Sequence, residues 1–214
     1  LAEHSGPPYK RSLSSWCGGL GHYIGQTRSQ ECPTRYAGKI REQRRAGPRP
    51  STLITKAADT MADLLIRAFQ PGDAPALWAV FFESVRQVAA RDYSPEQVAA
   101  WAPEQPDLTQ WAQRLQRLAP FVAERAGALV GYADVQADGY IDHFYVAASA
   151  GRQGVGSALM QQIHDTAAQR QTPLLYAQVS LTARPFFEKW GFVVLTRQTV
   201  WVRGVAMDNL RMHK

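Results

Sequence analysis

The stretch YIDHFYVAASAGRQGVGSALM, Tyr140 to Met160, decides how the rest of the chain is read. Its first third alternates like a strand, and its last third is an apolar run with helical spacing. Between them three glycines and an arginine fall within Gly151–Gly156. Each glycine costs backbone entropy, so such crowding belongs where side chains must be absent. A glycine loop leading from a strand into a helix turns several N–H groups one way, at the positive end of a helix dipole. That is an anion site suited to a phosphate or pyrophosphate. A P-loop is excluded, because Ser157 follows the last glycine and no lysine is present. A dinucleotide fingerprint needs a βαβ unit, whereas the strand here reads as the third of an antiparallel meander. On spacing alone, a plain tight turn stays open beside the anion site.

Working outward, DLLIRAF after Met61 reads as a short strand closed by the turn QPGD. Asp73 is placed to cap a helix carrying Leu77, Val80, Phe81, Val85 and Val88 at spacings of three and four. SPEQVAAWAP reads as a second helix with Ser94 as cap and Pro95 in its first turn, and PDLTQWAQRLQRL as a third amphipathic turn or two. FVAER, ALVGYADVQ and YIDHFYV form the meander, with turns at Gly127 and Asp138–Gly139. After the glycine loop a helix runs to about Arg170, with Leu159, Ile163 and Ala167 on one face. PLLYAQVS is a strand, TARPFFEKW a short helix stopped by Gly191, and FVVLTRQTVWV and NLRMHK finish the sheet. This order predicts an α+β domain: a mixed, mostly antiparallel central sheet flanked by helices.

The net charge of +6 lies wholly in residues 1–60, because residues 61–214 carry fourteen basic and fourteen acidic side chains. That first segment is rich in Gly, Ser, Pro, Arg and Gln without apolar period, so a basic, largely disordered extension is expected over 1–60, and a compact domain over 61–214. LAEHSGPPYK lacks a basic n-region and an apolar h-region, so no secretory leader is expected there. Binding of nucleic acid by the basic segment ranks below a solvated tail, since no stacking aromatics interleave with its cations. Cys17 and Cys32, fifteen apart, make no metal motif, and no metal is expected. The absence of cysteine from 61–214 fits a cytoplasmic location and argues against thiol catalysis. No run of about 18 apolar residues exists, so no membrane span is expected.

The segment V-x-x-x-x-x-x-x-G-x-G-S-x-L ending in GVGSAL, with ARPFFEKWGF some 25 residues on, resembles the GNAT superfamily of acyl-CoA-dependent N-acetyltransferases over about residues 61–214. The resemblance implies splayed parallel strands around a pyrophosphate loop, and acetyl-CoA as acetyl donor with coenzyme A as product. Carried over, Phe144, Tyr145 and Val146 line the pantetheine arm, and Gly151, Arg152, Gln153, Gly154, Val155, Gly156 and Ser157 the pyrophosphate. Ser180, Ala183, Phe186 and Phe187 flank the cofactor from the other side. Two positions depart from the family. Its loops usually carry Gln or Arg three residues before the first glycine of G-x-G, which is Gly151 here, so backbone amides are expected to carry the anion. Many members place a tyrosine before EKxGF as general acid for the thiolate; this chain has Phe187, and a phenyl ring has no proton to give.

An amine must be neutral to attack a thioester, so a base is expected near YIDHFYV. Asp142 is the first candidate, His143 the second, and Tyr140, on Asp142's face, the third. Each has a bland reading beside it: Asp142 paired with an arginine, His143 a half-buried residue. The early helices offer Phe82, Tyr93 and Trp101 to the acceptor, with Trp111 ranked as core. The function expected is acetyl transfer to a small-molecule amine by direct attack. A protein or peptide amine, or a non-catalytic acyl-CoA sensor, are the alternatives, and a homodimer fits the family's habit.

Overall fold

The computed structural model describes residues 63–214, so the expectations for Cys17, Cys32 and the basic segment lie outside the described residues. Strand β1 (Leu64–Ala68) leads through a turn into helix α1 (Ala74–Glu83), then α2 (Pro95–Trp101) and α3 (Leu108–Leu118). Strands β2 (Phe121–Arg125), β3 (Ala128–Ala133), β4 (Tyr140–Ile141) and β5 (Phe144–Val146) follow. Helix α4 (Val155–Gln169), strand β6 (Tyr176–Ser180), helix α5 (Arg184–Lys189) and the hairpin β7 (Val193–Val202) and β8 (Val205–His213) complete the order. This is the mixed α+β layering that the sequence predicts. None of the described helices is long and apolar enough to cross a membrane.

Local chemistry explains most boundaries. Ser94 caps α2, its Oγ accepting from Gln97 N at 3.2 Å while Gln97 Oε1 accepts from Ser94 N. Asp107 does the same for α3. Asp73 is a correction: its carboxylate makes no side-chain cap on α1. It accepts from Gln70 N and from both terminal nitrogens of Arg67, at 2.8 and 2.9 Å, closing the turn between β1 and α1 instead.

The second correction shapes the site. YIDHFYV is not one strand but two, broken at Asp142–His143. Strand β4 pairs in parallel with β6, Tyr140 against Tyr176 and Ile141 against Ala177. Strand β5 pairs antiparallel with β3. The strands therefore run β1-β2-β3-β5 in one sheet and β4-β6-β8-β7 in the other, and β5 and β6 part company beyond the break. The cause is Asp134, fully buried just after β3. Its Oδ1 accepts from His143 N at 2.6 Å and its carboxylate also takes the Asp142 amide, while Asp134 N donates to His143 O. Amides that would extend the ladder are turned onto a carboxylate.

The core lies between the sheets and their helices. Leu77, Val80 and Phe81 of α1 and Trp111 and Leu115 of α3 cover one face, and Val155, Leu159 and Ile163 of α4 the other. Helix α4 comes this close because of Gly131 in β3. A Cβ there would meet Val155 Cγ1 at 2.9 Å and the Tyr145 carbonyl at 3.1 Å. Neither neighbour moves easily, one being β-branched and the other backbone. Gly131→Ala is therefore expected to cost about 1–3 kcal/mol of stability by overpacking, read as a lower midpoint in urea, and an unchanged midpoint would show that α4 can slide.

Burial, with help from the neighbouring Asp142 charge, holds the Asp134 pKa up at about 7, against an ordinary value of about 4. Between those values the folded chain keeps a proton that the unfolded chain has released. Stability from this group is complete below about pH 4 and declines as pH rises to about 7. In Asp134→Asn the decline over that window should flatten in urea titrations at successive pH values. A slope equal to wild type would assign it to another group.

Candidate functional site

Where the sheets part, β5 presents an edge with no strand on it. Its bonds to β3 fall on alternate residues, with Asp134 N donating to His143 O and Ala147 N to Val130 O, so the N–H and C=O groups of Phe144 and Val146 face the opening. Beneath it, the Phe144 ring packs on Phe186 and Phe187 with centroids 5.3 and 5.6 Å apart. Phe187 is wholly buried, and Phe192 closes its other side at 5.1 Å. Ser180 is spent on the local turn, its Oγ accepting from Ala183 N at 3.0 Å.

The glycine loop leaves β5 through a 3-10 turn (Ala148–Ala150) and enters α4 at Gly154, whose φ of 84° no other residue type adopts easily. No side chain caps this helix, and its first bond runs from Ala158 N to Gly154 O. The amides of Val155, Gly156 and Ser157 thus have no partner within the helix and sit at its positive end. Arg152 takes the left-handed conformation at φ 59°. Gln153 does not point at an anion: its Nε2 donates to Ser149 O at 2.9 Å, while its Oε1 and carbonyl accept from Arg125. Arg125, at the end of β2, clamps the loop, a role the sequence reading missed. An open strand edge beside a helix start with unsatisfied amides fits a long, anionic cofactor such as coenzyme A.

On the other side of β5 lies a cleft of about 700 Å³. Trp78, Phe81, Trp101, Trp111, Tyr145 and Trp201 wall it. Trp111 is fixed by its indole N–H donating to Ala74 O at 2.8 Å, and it stacks on His143 at 5.8 Å. Arg114 of α3 reaches the floor, where its Nε donates to His143 Nε2 at 3.0 Å and its Nη2 pairs with Asp142 Oδ2 at 2.8 Å. Because guanidinium only donates, His143 Nε2 must accept, so the neutral ring carries its proton on Nδ1 and donates it to Tyr132 Oη at 3.2 Å. Burial first, and the Arg114 charge second, push the His143 pKa well below its ordinary value. The His143 ring is thus held at both nitrogens.

Of the residues singled out from sequence, His143, Tyr145 and Trp101 line the cleft, and Trp111 joins them. Asp142 stands behind Arg114, in the ion pair that its bland reading anticipated. Tyr140 lies away from the cleft, its ring on Tyr176 at 5.1 Å. Tyr93 is buried as a clasp, donating to Asp208 O at 2.7 Å and accepting from Leu181 N at 3.0 Å, and burial pushes its phenol up. Phe82 sits outside under the Arg86 guanidinium, 4.9 Å from the ring centroid. Sequence reasoning missed Arg114, Arg117, Trp78, Trp201 and Arg203. The spacing of Trp111, Arg114 and Arg117 on one helix was the available signal. Among the described residues no cluster of three His, Cys, Asp or Glu could hold a metal ion.

Comparison with known proteins agrees with this geometry. Residues 89–214 match the family model of the acetyltransferase (GNAT) domain. An uncharacterized N-acetyltransferase, YafP, of Escherichia coli K12 is 35% identical over 152 residues, 71% of this chain and 96% of that protein. A crystal structure from Rhodopseudomonas palustris, described as a GCN5-related N-acetyltransferase (aminotransferase, class-II), is similar at TM-score 0.68 and 33% identity, covering 70% of this chain and 94% of its own. The PaiA N-acetyltransferase of Thermoplasma acidophilum, solved with coenzyme A, shares the fold at TM-score 0.57 and 18% identity over 71% of this chain and 98% of its own. The chain belongs to the GNAT family and is an acetyl-CoA-dependent N-acetyltransferase.

Proposed function

We propose that the chain acetylates the amine of a small molecule by direct attack, with the amine seated in the aromatic cleft. The observation that carries this reading is the cleft itself. About 700 Å³ walled by rings, against the flank of β5 that bears His143 and Tyr145, suits one small organic molecule. Phe144 and Val146 hold the pantetheine arm through their outward backbone groups, and the amides of Val155, Gly156 and Ser157 hold the pyrophosphate. Bound acetyl-CoA would supply the thioester: the amine nitrogen would bond to its carbonyl carbon, the carbon–sulfur bond would break with its electron pair leaving as thiolate, and the extra proton on the new amide nitrogen would pass to solvent.

Proton handling follows from the floor. An alkyl amine is mostly protonated at neutral pH, and Arg114 holds both His143 and Asp142, so the nitrogen releases its proton to solvent before attack. His143 takes no proton, because Arg114 occupies its basic nitrogen. Asp142 is a positioning residue that holds Arg114 in place. Phe187 has no proton to offer the leaving thiolate, which departs unassisted.

Thiol release over a panel of small amines and lysine peptides tests the substrate class; release with peptides alone would overturn it. The pH profile of kcat/KM tests the proton scheme. Asp142→Asn is expected to lower the rate while leaving the ascending limb where wild type has it. A limb that moves or vanishes would make Asp142 the base. Phe187→Tyr is expected to bring no rate gain and to destabilise by about 1–3 kcal/mol, since the new hydroxyl is buried among Phe144, Phe186 and Phe192. A rise in kcat would instead show that the position serves the leaving group.

A further inference from the structure

The charges of the cleft are lopsided. Three arginines line it, Arg114, Arg117 and Arg203, and one carboxylate, Asp107. Asp107 is already committed: Oδ1 accepts from Gln110 N at 2.9 Å and Oδ2 from Gln110 Nε2 at 2.8 Å, as the cap of α3. Arg114 is matched by Asp142 on the floor. Arg117 and Arg203 are different. Among the described residues no carboxylate lies within ion-pair distance of either.

Both stand at the exposed rim. Arg117 lies three residues beyond Arg114, one helical turn up the same face of α3. Arg203 sits at the tip of the β7–β8 hairpin, at φ 47° before Gly204. Its Nη1 donates to Ala100 O at 2.6 Å, which anchors the guanidinium on the end of α2. An arginine held in a left-handed turn and tied down at one nitrogen is pre-positioned, and its remaining N–H donors keep the fork that suits a carboxylate. Trp78, Trp101, Trp111 and Trp201 line the same cleft.

We infer that the acceptor is an amine on a planar, largely apolar body whose far end carries a carboxylate, gripped by Arg117 and Arg203 while the amine faces His143 and Tyr145. This deepens the acetyl-transfer reading above and rests on it for the role of the amine. Polycationic acceptors are disfavoured by the same charges, since no uncommitted carboxylate lines the cleft to receive them.

Two measurements test it. In thiol release, 4-(aminomethyl)benzoate is expected to exceed benzylamine in kcat/KM by about tenfold or more, as charge-assisted bonds to a carboxylate allow. The ratio should fall toward one in the Arg117→Gln/Arg203→Gln double variant and with rising salt. Arg203→Lys, which keeps the charge and loses the fork, should restore part of it. Separately, 3-phenylpropionate, an anion with no amine, should perturb tryptophan fluorescence of wild-type protein with an affinity that the double variant loses about tenfold or more.

A ratio near or below one in wild type, or fluorescence binding that ignores the substitutions, overturns the inference. Arginine-dependent binding of 3-phenylpropionate in a protein that releases no thiol with any amine would overturn the acetyl-transfer reading while supporting this carboxylate subsite.

Discussion

The buried carboxylate of Asp134 is the constraint on which the site depends. Two strands would otherwise continue side by side as one sheet. By taking the amides of Asp142 and His143, Asp134 ends β4 after Ile141 and starts β5 at Phe144 on the other sheet. The opening that results has a cofactor-compatible edge on Phe144 and Val146 and delivers His143 and Tyr145 to the cleft. Burying a carboxylate is costly, and its raised pKa registers that cost. The amides it satisfies offset part of it, because they too would be buried without partners.

Arg114 extends the same arrangement from below. One guanidinium ties Asp142 and His143 together and fixes the imidazole tautomer. In the scheme proposed above no side chain of the floor acts as a general base, because Arg114 holds both candidates, and Phe187 contributes packing where a general acid could stand. A thioester tolerates both, since its thiolate leaves readily near neutral pH. The chain uses residues of the usual kinds at unusual stations: the cation absent at Gly151 has a counterpart in Arg125, which reaches the loop from β2 and grips Gln153 rather than standing in the loop itself.

Much of the fold was legible. The helix cap at Ser94, the apolar spacing of Leu77, Val80 and Phe81, and the turns at Gly127, Asp138–Gly139 and Gly191 follow from local rules that involve few residues. The glycine loop and ARPFFEKWGF identified the family because backbone approach to a pyrophosphate leaves little freedom in side-chain size. The break at Asp142–His143 was not legible. Alternation in YIDHFYV is as regular as in an unbroken strand, and the residue that breaks it lies eight positions earlier. Tyr93 likewise reads by sequence as an aromatic offered to the acceptor, but its hydroxyl is fixed by Asp208 and Leu181, more than eighty residues away.

The sequence by itself determined the element order, the α+β class, the family and the glycine loop that opens helix α4, because each of these rests on short-range periodicity or on glycine at fixed spacing. Only the tertiary structure decided which polar side chains meet. That Arg114 caps His143, that Asp142 pairs behind it, and that Arg117 from one helix and Arg203 from a distant hairpin line one cleft are consequences of packing between elements. A side chain's charge is written in the sequence; whether that charge is matched or left for a ligand depends on which neighbours the fold brings within a few ångströms of it.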